Sequence, residues 1–107
     1  MKLEFQSKIG RVIELTQERQ KHIFEFHPDV NPYFSRIEQV LEAPSEIRSS
    51  RHNPEVLLFY KYFADIKSGK YLAVVVKTNQ RNFILTCYLT DKIITGQKIY
   101  EQRKQSN

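Results

Sequence analysis

Apolar side chains recur at helical spacing through the first half of the chain and alternate with period two through much of the second. The change falls near Pro44. Thr16 is placed to cap a helix, with Gln17 and Glu18 in its first turn, where free backbone N–H groups favour a carboxylate. That helix is predicted over 17–27, since the residue before Pro28 is pushed out of the α region. Arg19, His22, Ile23 and Phe26 share one of its faces, and Ile23 and Phe26 are expected to anchor it. Asn31-Pro32 predicts a second helix over 32–42, with Phe34, Ile37, Val40 and Leu41 as its buried stripe. Ala43-Pro44 ends it.

Beyond Pro44 the pattern predicts three adjacent antiparallel strands, at 56–63, 71–77 and 82–89. Gly69 supplies the positive φ of the first connecting loop, and Thr78-Asn79-Gln80 makes the second. Residues 11–15 and 46–49 read as short strands, and 1–9 as a short strand or an ordered arm. Gly96 marks a further turn. In the last of the three long strands, alternation puts Leu85 and Cys87 in the core with Val74, and turns Thr86 and Tyr88 to the other face.

This order of elements predicts an α+β fold, with N-terminal helices packed on an antiparallel β-sheet. The 107 residues suit one domain, spanning 1–107, with 101–107 as a fraying polar tail. They exclude TIM barrels and complete dinucleotide-binding domains.

Charge changes the picture more than composition does. The net charge is +5, but residues 1–55 carry 8 basic and 9 acidic side chains, and residues 56–107 carry 9 and 3. A basic half suits a phosphate backbone or an acidic protein partner; it also suits solubility alone. A lone cysteine, Cys87, and the lack of a long apolar run predict a reduced, cytoplasmic protein with no membrane association.

The side chains able to do chemistry are His22, His27, Arg48, Arg51, His52, Lys61, Thr86 and Tyr88. His22 and His27 are five apart, not the four of a helical zinc pair, and cysteine pairs are absent, so no metal or other cofactor is expected. RNA cleavage needs only a base for the 2′-OH, a cation for the phosphate and an acid for the leaving oxygen. Histidine, arginine, lysine and tyrosine can fill those roles. Plainer readings stand beside this one. His22 can flank core packing, His27 can satisfy helix-end carbonyls, and the tyrosines can be ordinary sheet residues.

The succession of His22-Ile23-Phe24-Glu25-Phe26-His27-Pro28, Leu41-Glu42-Ala43-Pro44-Ser45-Glu46-Ile47, Tyr71-Leu72-Ala73-Val74-Val75-Val76-Lys77 and Phe83-Ile84-Leu85-Thr86-Cys87-Tyr88-Leu89-Thr90 resembles the small phage and toxin nucleases grouped with barnase, EndoU, the colicins and RelE. The resemblance covers about residues 11–100. It implies a BECR-like fold and metal-independent endoribonuclease activity of toxin type. By that likeness His22, His27, Thr86 and Tyr88 are catalytic candidates, and Arg51 and Lys61 sit where the group often places basic residues; Lys61 is counted with the catalytic set, and Arg48, Arg51 and His52 are expected to bind RNA. The implied partners are RNA and a cognate antitoxin protein. The alternative is a non-catalytic module that binds RNA or protein.

Overall fold

A computed structural model describes residues 2–93 and 96–102. The chain opens with a hairpin of β1 (Leu3–Gln6) and β2 (Val12–Leu15), paired antiparallel from Leu3↔Leu15 to Gln6↔Val12. Helix α1 (Gln17–Phe26) follows at once. Thr16 caps it as expected, its hydroxyl accepting from Arg19 N–H at 3.2 Å. The helix stops at His27, whose φ of −134° and ψ of 61° lie outside the α region, as a following proline requires.

The second helix departs from the sequence expectation. Residues Pro28–Arg36 wind as a 3-10 segment, and an α-helix, α2, occupies only Ile37–Glu42. Pro28 and Pro32 supply no N–H, and a proline at 32 would clash with the carbonyl four residues back in an α-helix. Asn31-Pro32 therefore lies inside the 3-10 segment and starts nothing.

The three long strands form where expected: β4 (Val56–Phe63), β5 (Lys70–Lys77) and β6 (Phe83–Thr90), paired in sequence and antiparallel. Short β3 (Glu46–Ser49) pairs with β4, and β7 (Gln97–Glu101) pairs with β3. Glu101 thus closes a strand and is no part of a tail; residues 103–107 lie outside the described residues. The sheet is seven-stranded and mixed, in the order β1-β2-β6-β5-β4-β3-β7. Its parallel junction joins β2 to β6 at Glu14↔Phe83.

One cluster of side chains holds these layers together. Ile23, Val30, Ile37, Val40 and Leu41 from the helical part meet Ile13, Leu15, Ile47, Leu57, Phe59, Leu72, Val74, Val76, Ile84 and Cys87 from the sheet. Phe34 packs on its margin and is only partly buried. Two expected anchors fail. Phe26 is 67% exposed, because α1 ends there and no element covers its ring. Leu85 is half-buried and outside the cluster, whereas Ile84 is fully buried within it. The reason is a bulge: Val75 faces Thr86 but Val76 faces Ile84, leaving Leu85 unpaired. The extra residue reverses the alternation between Ile84 and Cys87.

Arg36, at the end of the 3-10 segment, fixes the β4–β5 hairpin. Its guanidinium donates to both carboxylate oxygens of Asp65, at 2.9 and 2.7 Å, and stacks on Phe63 with 4.9 Å to the ring centre. This pairing holds the Asp65 carboxyl below the usual carboxylate range. The hairpin turns through Lys67, Ser68 and Gly69, all at positive φ. Gly69 also lets the Tyr62 hydroxyl approach, since a Cβ there would lie 2.1 Å from it. Among the described residues, no helix is long and apolar enough to cross a membrane.

Candidate functional site

The sheet has a core face and a second face, and the candidate chemistry gathers on the second. Directly opposed residues share a face, so Tyr60, Ala73 and Tyr88 form one row across β4, β5 and β6. Leu58, Val75 and Thr86 form the next row. Ala73, the small residue in an otherwise bulky β5, stands between the two tyrosines in this row. Tyr60 and Tyr88 hydrogen-bond to each other. Tyr60 is fully buried although it lies opposite the main core. Burial first, then the Tyr60 hydroxyl, pushes the Tyr88 phenol well above its ordinary pKa, so Tyr88 stays a neutral hydroxyl.

Helix α1 reaches this row from the side. Because β2 meets β6 only near Phe83, the later part of β6 is flanked by α1 and the 3-10 segment. The His27 ring lies 6.2 Å from that of Tyr88, and the His22 ring 6.4 Å from that of His27. His22 in turn contacts Phe26, with ring centres 4.9 Å apart. The imidazoles and phenols therefore make one chain, His22–His27–Tyr88–Tyr60. Tyr71 extends it, edge-on to Tyr60 at 6.3 Å.

Thr86 sits two residues before Tyr88 on the same face. Its Oγ1 is buried and has no hydrogen-bond partner among the described residues. A buried hydroxyl left in that state costs free energy unless something supplies the missing bond.

At the far side of Tyr60, a cavity of about 350 Å³ is lined by Arg48, Ser49, Ser50, Arg51, His52, Leu58 and Tyr60. Arg48 is already engaged: it pairs with the buried carboxylate of Glu46 and donates to the Gly96 carbonyl at 3.2 Å. Its role is to tie β3 to the strand beyond, and a buried pair of this kind is costly to break. Arg51 and His52 are exposed at the rim. A larger depression of about 700 Å³ lies on the outer side of α1, along Gln17, Gln20, Lys21, Phe24 and Glu25. None of the candidate side chains lines it, so cavity size and chemistry point to different places, and chemistry decides.

Lys61 is not brought to this group. It belongs to the Phe59 side of β4, the core face, and its Nζ donates to the Ala43 carbonyl at the end of α2, at 2.7 Å. The stem lies along the sheet and the ammonium satisfies a helix-end acceptor. Sequence reasoning missed Tyr60. The available signal was Ala73, small within Leu72-Ala73-Val74-Val75-Val76. Among the described residues, no group of His, Cys, Asp and Glu is placed to hold a metal ion. Comparison with protein families, with curated proteins and with solved structures finds no match to this chain.

Proposed function

We propose that this chain is a metal-independent endoribonuclease of BECR-like type, acting on cellular RNA by attack of the 2′-OH. The contact of His27 with Tyr88 carries the reading, because it joins the helix-borne imidazoles to the sheet hydroxyls. In the proposed step one imidazole, His22 or His27, takes the 2′-OH proton. O2′ bonds to phosphorus, the bond from phosphorus to O5′ breaks, and the other imidazole gives O5′ a proton. The products carry a 2′,3′-cyclic phosphate and a 5′-OH. Tyr88 donates a hydrogen bond to a phosphoryl oxygen, where negative charge grows in the transition state, and Thr86, whose hydroxyl is buried, supports the strand beside it. Arg51 and His52 guide the backbone from the far side of Tyr60. A toxin role, a cytoplasmic place of action and an antitoxin partner belong to the same proposal and rest on the resemblance alone.

The test uses the full chain, total RNA and EDTA. Expected are defined cuts with cyclic phosphate ends. His22→Ala and His27→Ala each lower the rate about 100-fold, the scale of a lost proton-transfer group, and leave the circular dichroism spectrum intact. RNA binding without cleavage would instead support a non-catalytic module. Cutting that survives both substitutions would remove the histidines from the mechanism.

A further inference from the structure

The sheet ends at β7, which pairs with β3 on one side; among the described residues no strand meets its other side. An unpaired edge presents a row of backbone N–H and C=O groups to any strand that can match it. Gln97, Lys98, Ile99 and Glu101 are exposed, and Tyr100 is half-buried. Ile99 leaves 49% of its surface uncovered, although it is the apolar centre of the strand. Lys98 and Glu101 lie on one face, paired at 3.2 Å. Like charges along an edge keep copies of it apart; here the two charges cancel and repel no second copy.

The edge is also complementary to itself. It reads Gln97-Lys98-Ile99-Tyr100-Glu101-Gln102. Turned end for end against its own copy, glutamine meets glutamine, lysine meets glutamate and isoleucine meets tyrosine.

We infer that the outer edge of β7 is an interface between two copies of this chain, paired antiparallel about a twofold axis between Ile99 and Tyr100. Lys98 of each copy then lies opposite Glu101 of the other, and the uncovered Ile99 side chains come together at the axis. Opposite charges directly across a strand pair attract, and like charges there repel. The irregularity in β7 favours a second copy over a different strand. Arg48 pairs with Lys98 and Ile47 with Tyr100, so Ile99 is an extra residue against β3. A regular strand has one residue between the positions facing Lys98 and Glu101, where β7 has two. A second copy brings the same two, so the register matches at both ends. The contact is isologous and closes at two copies. None of this depends on the nuclease reading.

Sedimentation equilibrium of the full chain tests it, over protein concentrations from about 1 μM to about 1 mM, where small interfaces associate. Wild type is expected to show a monomer–dimer equilibrium. Lys98→Glu and Glu101→Lys should each raise the dissociation constant at least about 10-fold, since each sets like charges opposite one another on both sides of the axis. An equimolar mixture of these two variants should return to within about threefold of the wild-type constant, because one copy then offers two glutamates and the other two lysines. Ile99→Asp should abolish pairing by placing two carboxylates at the axis. These side chains are exposed, so the Tm of each dilute variant should match that of wild-type monomer, which separates lost pairing from lost folding.

A wild type that stays monomeric across the range would overturn the inference. A dimer indifferent to both charge reversals would overturn it too, by placing the contact elsewhere. So would a mixture of the two variants that remains monomeric where wild type pairs, since the opposed positions would then be others.

Discussion

Ile84 and Leu85 are isomers side by side in one strand, and the bulge in β6 gives them opposite fates. Ile84 is fully buried against the cluster that includes Leu57 and Val76. Leu85 has no strand partner and no place in that cluster. Replacing each with alanine removes similar volume from adjacent positions, so the difference isolates burial. Truncating a fully buried aliphatic side chain costs about 2–5 kcal/mol, including the cavity left behind. Ile84 sits inside the sheet, between paired strands that cannot close on the gap, so Ile84→Ala should cost about 3–4 kcal/mol. Leu85→Ala should cost about 1 kcal/mol, for partial burial alone. Urea unfolding followed by circular dichroism measures both. With a slope of about 1.3 kcal/mol per molar for a domain of this size, the midpoint falls by about 2–3 M for Ile84→Ala and by less than about 1 M for Leu85→Ala. Equal losses, or the larger loss at Leu85, would refute the bulge and restore simple alternation. A changed slope would mean that the unfolded state had been altered.

Cys87 is fully buried, and burial, with a smaller effect from Asp29, pushes its thiol up to about 12; labelling by a thiol reagent at pH 8 should wait for opening of the fold, and native labelling as fast as in denaturant would contradict that. Asp65 is held low by Arg36, so its contribution to stability is present above the unfolded carboxylate value of about 4 and is lost as pH falls through its depressed native value. Acid titration of stability should therefore be shallower in Asp65→Asn than in wild type, and identical acid limbs would remove the pair from the balance. A Cβ on Gly96 would lie 2.4 Å from the Ser49 carbonyl oxygen, and Ser49 is fixed between β4 and β7. Gly96→Ala should cost about 1–3 kcal/mol by overpacking, read as a lower Tm; an unchanged Tm would show that β7 can shift.

Parts of this structure were legible because one residue sets one local event. Thr16 starts α1 and Pro28 stops it. Gly69 turns the hairpin, and period two marks β4, β5 and β6. The bulge left no such mark, since one extra residue in Phe83–Thr90 changes no composition and every position there is a good strand former. The edge strands β1 and β7 were harder for a related reason: both are short, and β7 is largely exposed and polar. At the site, the sequence named His22, His27, Thr86 and Tyr88, which the fold gathers. It could not show that Lys61 lies across the sheet from Tyr60, because every residue of β4 except Lys61 is apolar or aromatic and either set could face the helices. It also placed Phe26 with Ile23 by helical period, which is silent about whether any element lies opposite the helix's last turn.

The parallel meeting of β2 and β6 makes α1 a ruler. The helix begins beside Phe83, where Thr16 and Phe83 line a common recess, and it ends with His27 beside Tyr88. From Gln17 to His27 a helix advances about 15 Å at 1.5 Å per residue. From Phe83 to Tyr88 the bulge at Leu85 leaves only the four strand positions that separate Lys77 from Ala73, about 14 Å at 3.4 Å per residue. The two lengths agree to about half a helical turn, so the number of residues between Thr16 and Pro28 decides which rung of β6 the imidazole stands beside. Removing the turn Glu18–Lys21 from α1 would preserve the cap at Thr16, the buried Ile23 and the stop. It would also draw His27 back by about 6 Å, which is nearly two strand positions, and set it level with Thr86.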